Sequence, residues 1–271
     1  MDYSVLMSVY KKDNPEWLKE AIESILNQTV KTNDFVIVED GALSSELDKV
    51  LRGYKSKYSN IIRLVKLKEN VGLGPALQRG IIECKYEWIA RIDADDYSRV
   101  DRIEKQIDKI LEDNTIDIIG SNHIEFIEDI SNVIAIKKLP TTHDKIVKYA
   151  RRRNPFSHSA VMYKKSKVLE AGNYKACYLC EDYDLWIRMI ESGAKCFNIN
   201  EELNYVRVSK DLYKRRGGVK YLRSLLRFKR EQYNKGFYSL KDYVVSSASH
   251  VVVCLMPTVM RKFVYEKFLR G

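Results

Sequence analysis

Through the first hundred residues, short β-rich apolar runs alternate with stretches of helical period, and few folds accept that order. Tyr3–Val9 (YSVLMSV) reads as a buried strand, and Asn14-Pro15-Glu16 opens a helix through Leu26, with proline at a favoured early position. Phe35–Val38 reads as a second strand ending at Glu39-Asp40-Gly41, followed by a helix near Ser45–Tyr58 and a strand over Ile61–Lys66. A Gly-bearing loop leads into a helix over Gly74–Cys84, and Trp88–Ile92 is a fourth strand ending at Asp93. This order predicts an α/β fold: right-handed βαβ units and a mostly parallel central sheet flanked by helices. Ligands of such sheets bind beyond the carboxyl ends of the strands. Ser8-Val9-Tyr10, Glu39-Asp40-Gly41, Asn70-Val71-Gly72 and Asp93-Ala94-Asp95-Asp96 all fall there, so four strand ends converge on one candidate site.

The second half reads differently. Asp101–Leu111 is helical, Asp117–Ile127 and Val133–Leu139 look like a strand pair, and Glu181–Ser192 is a helix stopped at Gly193. Beyond Gly218 the chain is basic and amphipathic, with Val219, Leu222, Leu225 and Leu226 among Lys220, Arg223, Arg227 and Arg230. From Tyr205 to Gly271 there are 16 Lys plus Arg against 4 Asp plus Glu, a balance of +12, so the first 204 residues carry −2 of the net +10. Such a tail suits an anionic membrane, nucleic acid or a phosphate-bearing substrate, or is simply a solvated helical face.

With 271 residues, 45% of them apolar, the chain can bury a full core without disulfide or zinc staples. Apolar runs such as Val251 to Met256 are too short to span a bilayer, and the start MDYSVLMSVYKKDNP lacks secretory-signal character, so a protein of the cell interior is expected. The five cysteines are scattered; Cys177-Tyr-Leu-Cys180 has redox or zinc spacing but no second pair, so reduced thiols are expected.

The chemistry-bearing motifs are each weak alone. Asp93-Ala94-Asp95 at a strand end points two carboxylates the same way, which suits Mg²⁺ or Mn²⁺ with positions left for phosphate oxygens. Asp182 and Asp184 repeat the spacing by chance, and an acidic turn with Asp96 as a helix cap would look the same. Asn70-Val-Gly72-Leu-Gly74-Pro-Ala76 resembles a phosphate-cradling loop but lacks P-loop chemistry, and Asp40 either accepts from a nucleobase N–H or closes a turn. In Glu181-Asp182-Tyr183-Asp184-Leu185-Trp186 the acids suit a helix N-terminus, or supply a general base tuned by burial. His158, a lone histidine in NPFSHSAVM, is more often structural than a ligand.

The order of these segments resembles the family-two glycosyltransferases with the GT-A (nucleotide-diphospho-sugar transferase) fold, particularly those building bacterial capsule and O-antigen polysaccharides. The matching segments run from Ser4 to about Tyr221: SVLMSVY, VEDG, NVGLGPALQRGI, IARIDADD with Arg102-Ile-Glu-Lys-Gln106, NPFSHSAVMYKKSKVLEAGNY, EDYDLW and YKRRGGVKY. The resemblance implies a catalytic domain over 1–218, with a nucleotide-sugar half 1–100 and an acceptor-side half 101–218, then a basic helical tail over 219–271. By position it implies that Ser8, Val9, Tyr10 and Asp40 line the nucleobase pocket, and that Asn70, Gly72 and Asp93, with Ala94 beside them, hold the ribose side. Asp95 would bind the Mn²⁺ or Mg²⁺ bridging the diphosphate, with Asp93 and His158 as further candidate ligands. Asp182 would be the base, with Glu181 and Asp184 as alternatives, and Arg215 with Arg216 would reach the diphosphate from a loop. Arg79 stands where the family often has Asn, and Glu39 where many members have Asp.

The reaction implied is a metal-dependent, inverting transfer of one hexosyl or N-acetylhexosaminyl unit. The donor would be a UDP-sugar, and the acceptor a glycan or lipid-diphosphate-linked saccharide. Docking on the anionic inner face of the cell membrane is expected, and nucleic acid is not. The chain has no Gln-x-x-Arg-Trp, so non-processive transfer is expected. A sugar nucleotidyltransferase would need a Gly-rich loop where this chain has Ser8-Val9-Tyr10-Lys11-Lys12. A non-enzymatic basic membrane- or nucleic-acid-binding module would explain the tail but not seven ordered segments.

Overall fold

The computed structural model describes residues 1–208 and 216–264. At its centre β1 (Tyr3–Val9) lies between β2 (Phe35–Glu39) and β4 (Trp88–Arg91), parallel to both. The period of two sends Tyr3, Val5, Met7 and Val9 to one face and Leu6 to the other, and both faces are covered. The first set packs with α1 (Pro15–Leu26) and α2 (Ser45–Lys57); Leu6 packs with α3 (Leu73–Glu83). Asn14 caps α1 by accepting from the amides of Glu16 and Trp17, ahead of Pro15.

The chain runs outward from β1 through β2 to β3 (Ile62–Lys66) along one face, and α3 then returns it along the other face to β4. The order in which strands are added therefore reverses between β1 and β4, which run parallel, and the crevice beyond their carboxyl ends is where such a sheet binds ligands.

Beyond β4 follow β5 (Tyr97–Ser98), α4 (Arg102–Glu112), β6 (Ile118–Phe126), β7 (Val133–Lys137), α5 (His143–Ala150), β8 (Met162–Lys164), α6 (Lys165–Glu170), α7 (Glu181–Glu191) and β9 (Cys196–Arg207). The sheet order is β3-β2-β1-β4-β8-β6-β9-β5, with β7 paired to β6. The first four strands are parallel, as expected. Across the whole sheet, however, four strand pairs are parallel and four antiparallel, so it is mixed rather than mostly parallel.

Arg102 braces the junction of the two halves. It is fully buried, and its guanidinium donates to the Ser159, Arg91 and Val161 carbonyls at 2.8–3.0 Å, to Ser98 Oγ and to Gln106 Oε1. Arg102→Met keeps the stem but removes the guanidinium donors to the Ser159 and Arg91 carbonyls and to Ser98, while the Val161 carbonyl keeps the Arg91 amide at 2.9 Å. Stability measured by urea unfolding should fall by about 2–3 kcal/mol.

The tail forms α8 (Gly218–Asn234), α9 (Leu240–Leu255) and α10 (Thr258–Val264). Phe228 and Tyr238 pack on Tyr183 and Ile187 of α7, and the Tyr183 and Tyr238 hydroxyls lie 2.8 Å apart. Lys229 belongs to the buried face: its Nζ donates to the Ser246 carbonyl at 2.7 Å and lies 2.8 Å from His250 Nδ1, and burial pushes it down to about 7. No helix among the described residues is long and apolar enough to cross a membrane. The expectation of reduced thiols is corrected at one pair, since Cys177 and Cys180 are joined in a disulfide just before α7. Their spacing brings the two Cα atoms within 5.3 Å, inside disulfide range.

Candidate active site

The segment 93–96 is a turn beyond β4 rather than its last strand residues, so strand periodicity does not aim the two carboxylates. Asp93 Oδ1 lies 2.6 Å from Nη2 of the fully buried Arg91. The Asp95 carbonyl accepts from Arg207 Nε at 3.0 Å, while Asp96 Oδ1 accepts from the Arg207 amide at 2.9 Å. Asp96 is thus a core group and not a helix cap. Burial, then the charges of Asp95 and Asp93, hold its carboxyl well above the ordinary range. The Arg207 guanidinium sits 4.7 Å from the Trp17 ring and 4.4 Å from that of Phe126, and pairs with Glu20, so the acidic turn is tied to α1, β6 and β9 together.

Asp13 is a site residue that sequence reasoning missed. It accepts from the Tyr10 amide at 2.8 Å and is raised to about 7, first by burial and then, against that hydrogen bond, by the charges of Asp95 and Asp93. An unfolded Asp titrates near 4, so the stability tied to its protonation is present at low pH and lost as pH rises through about 7. In metal-free protein, Asp13→Asn should therefore raise Tm by about 5 °C at pH 8.5 and change it little at pH 5, by calorimetry.

On the nucleotide side, Asp40 is committed to a loop. Its carboxylate accepts from Asn70 Nδ2 at 2.9 Å and from the amides of Val71 and Gly72 at 2.7 and 3.1 Å. That clamp requires glycine at 41, where φ is +81° and an added Cβ would stand 2.5 Å from the Asn70 nitrogen. Asp40 thereby orders Asn70 and Gly72 and has little face left for a base. Val9 is corrected as a lining side chain: it is wholly in the core and its carbonyl accepts from the Asp40 amide. Ser8 is half-buried and Tyr10 exposed at the β1 end, and Ala94 is buried behind the acidic turn. Glu39 pairs with Arg52 of α2 at 2.9 Å, away from the crevice.

The expected base segment lies at the start of α7. Asp182 and Trp186 stand one turn apart, and the indole is buried against Phe156, His158, Tyr163 and Tyr174, which fixes the helix beneath the site. Asn154 Nδ2 donates to Asp182 Oδ2 at 2.6 Å. Burial raises Asp182, and the negative charge of Asp93 adds to it. Glu181 is raised to about 7 by burial, with Asp182 adding to it. Its Cγ would lie 3.1 Å from a Cβ placed at Gly74, whose glycine identity instead admits the Lys175 carbonyl (2.4 Å from that Cβ) rather than a phosphate. Asp184 is corrected as an alternative base: it is buried and paired with Arg188 at 2.8 Å.

His158 Nε2 lies 3.0 Å from the Tyr174 hydroxyl, and burial, then the Arg91 charge, hold it well below its ordinary range. Arg215 lies outside the described residues; Arg216 lies near His123 of β6, whose titration it depresses together with burial and Lys137. Among the described residues no three His, Cys, Asp or Glu side chains are grouped to hold an ion. A cation on Asp95 and Asp93 would take few protein ligands and complete its shell with phosphate oxygens and water, as Mg²⁺ and Mn²⁺ do. The acidic crowding that lifts Asp13 fits such an ion.

Residues 4–170 match the family model described as glycosyl transferase family 2. The chain is 36% identical over 268 residues to the UDP-Gal:alpha-D-GlcNAc-diphosphoundecaprenol beta-1,3-galactosyltransferase of Escherichia coli, covering 99% of this chain and 96% of that protein. It is 34% identical over 274 residues to the amylovoran biosynthesis glycosyltransferase AmsE of Erwinia amylovora, covering 99% and 100% of the two chains. In structure it is similar to the mannosyltransferase PcManGT from Pyrobaculum calidifontis in complex with GDP-Man and Mn²⁺, with a TM-score of 0.68, 15% identity, and 97% and 78% of the two chains covered. That last likeness shows the fold, GT-A.

Proposed function

The chain belongs to glycosyltransferase family 2, and from that premise we propose that it moves one hexosyl unit from a UDP-sugar to a saccharide carried on a lipid diphosphate, with inversion at the anomeric carbon. The observation that supports this reading is Asp182 at the start of α7, buried, held by Asn154 at 2.6 Å and near enough to Asp93 to feel its charge. Asp182 takes the proton of the acceptor hydroxyl, whose oxygen forms the new bond to the anomeric carbon as the bond to the UDP oxygen breaks. Asn154 orients Asp182 by its hydrogen bond. Asp95 and Asp93 would hold a divalent cation, which when bound neutralises charge on the departing diphosphate. The E. coli relative's name supports a UDP-sugar donor and a lipid-diphosphate acceptor. The test is acceptor-dependent UDP release from UDP-hexoses. UDP is expected; pyrophosphate would mean a nucleotidyltransferase, and no release a binding module.

The same reading places the enzyme on the cytoplasmic face of an anionic membrane. Support comes from the outward side of α9 and α10, where Val244, Val252, Leu255, Val259 and Phe263 are all more than half exposed beside Lys241 and Lys262. Ending the chain near Gly236 would strip Tyr238 from Tyr183, so point substitutions test docking better than truncation. Val252→Asp with Leu255→Asp should lower binding to phosphatidylglycerol vesicles by about 10-fold in co-sedimentation, with UDP release to a soluble acceptor unchanged. Unchanged vesicle binding would remove these helices from the docking surface.

A further inference from the structure

A hollow of about 440 Å³ lies between α5 and the first turn of α9, and Lys145, Lys148, Arg151 and Arg152 line it with a single carboxylate, Asp242. Arg152 Nε stands 3.6 Å from Asp242, on whose carboxylate the Arg151 charge also acts, whereas Lys145 and Lys148 make no ion pair among the described residues. Asp144 borders a neighbouring hollow that Lys148 and Arg151 also reach. Gathering cations with so few counter-charges is unfavourable unless an anion joins them, and a phosphate group offers arginine a bidentate fit. Tyr149 and Pro140 supply an apolar wall, and Leu240, exposed on α9 beside Asp242, continues it outward.

The hollow is coupled to the base. Tyr183 donates to the carbonyl of Ala150 at the end of α5 at 2.6 Å, and Asn154 donates to Asp182. One residue, Arg153, separates Arg152 from Asn154, so their Cα atoms are at most about 7 Å apart. In a saccharide linked to a lipid diphosphate, the diphosphate stands about one sugar ring from the hydroxyl that attacks, so both groups of one acceptor fall within reach of this segment.

We infer that the α5–α9 hollow binds the diphosphate of the lipid-linked acceptor and so presents the acceptor hydroxyl to Asp182. This rests on the acceptor reading above. Lys148→Glu with Arg151→Glu tests it in the full chain, since both side chains are exposed and neither belongs to the donor site. The wild type should use a diphosphate-linked saccharide at least 10-fold better in kcat/KM than the same saccharide as an uncharged glycoside. The double variant should lose that preference through KM, keeping the wild-type rate with the uncharged glycoside and wild-type hydrolysis of the UDP-sugar by water, which also shows that it is folded. A preference retained by the variant overturns the inference. So does a variant that keeps the preference in detergent and loses only its binding to phosphatidylglycerol vesicles, because the hollow would then read bulk headgroups. A wild type releasing no UDP from any UDP-hexose overturns the transferase reading itself, which the two preceding results do not.

Discussion

Asp182→Asn is expected to lower sugar transfer by about 100-fold or more, with the fold and UDP-sugar binding intact. Asparagine keeps a carbonyl oxygen to accept from Asn154 but cannot take the acceptor proton. The proposed donor site lies at the ends of β1, β2 and β4 rather than on α7, so the donor KM should not move. Because burial raises Asp182, wild-type transfer should also fall as pH drops through that raised value, since protonation removes the base. Glu181→Gln should cost less than about 10-fold, because Glu181 packs against the Gly74 turn. Wild-type turnover in the Asp182 variant, measured as UDP release, would transfer the role to Glu181.

Asp95→Asn is expected to reduce metal-supported transfer by about 100-fold, with Tm changed by less than about 2 °C. The turn is held by the Asp95 carbonyl on Arg207 and by Asp96 on the Arg207 amide, and neither contact uses the Asp95 carboxylate. The variant should therefore remain folded. Mn²⁺ binding followed by electron paramagnetic resonance should weaken in parallel. Transfer that persists in excess chelator would contradict a metal on Asp95.

The parallel half of the sheet was legible because its strands are buried on both faces and its helices carry clear caps, as at Asn14. β9 was not, because it buries polar residues. Asn198 donates to the Pro140 and Pro155 carbonyls and Asn204 to Ser159, contacts between distant segments that no hydropathy pattern records. The Asp93–Asp96 cluster and Asp40 were legible as strand-end groups and Asp182 through the family resemblance, but the contacts each makes were not. Asp13 sits among residues that read as an ordinary helix start, and it is raised by tertiary burial first and then by the charges of the β4 turn, neither of which a local pattern records. Asp184 looks equivalent to Asp182 in sequence, yet it lies two residues along a helix and so faces Arg188 instead. In the tail the helical period was legible, whereas the inward turn of Lys229 depended on the Ser246 carbonyl and His250 of another helix.

The central claim is that a single carboxylate base on α7 drives direct displacement at the anomeric carbon, and the configuration of the product tests it most directly. A single turnover with an α-linked UDP-hexose and a lipid-diphosphate saccharide, followed by proton NMR of the new linkage, should show the β anomer alone. An α linkage would contradict Asp182 acting as the base of an inverting transfer.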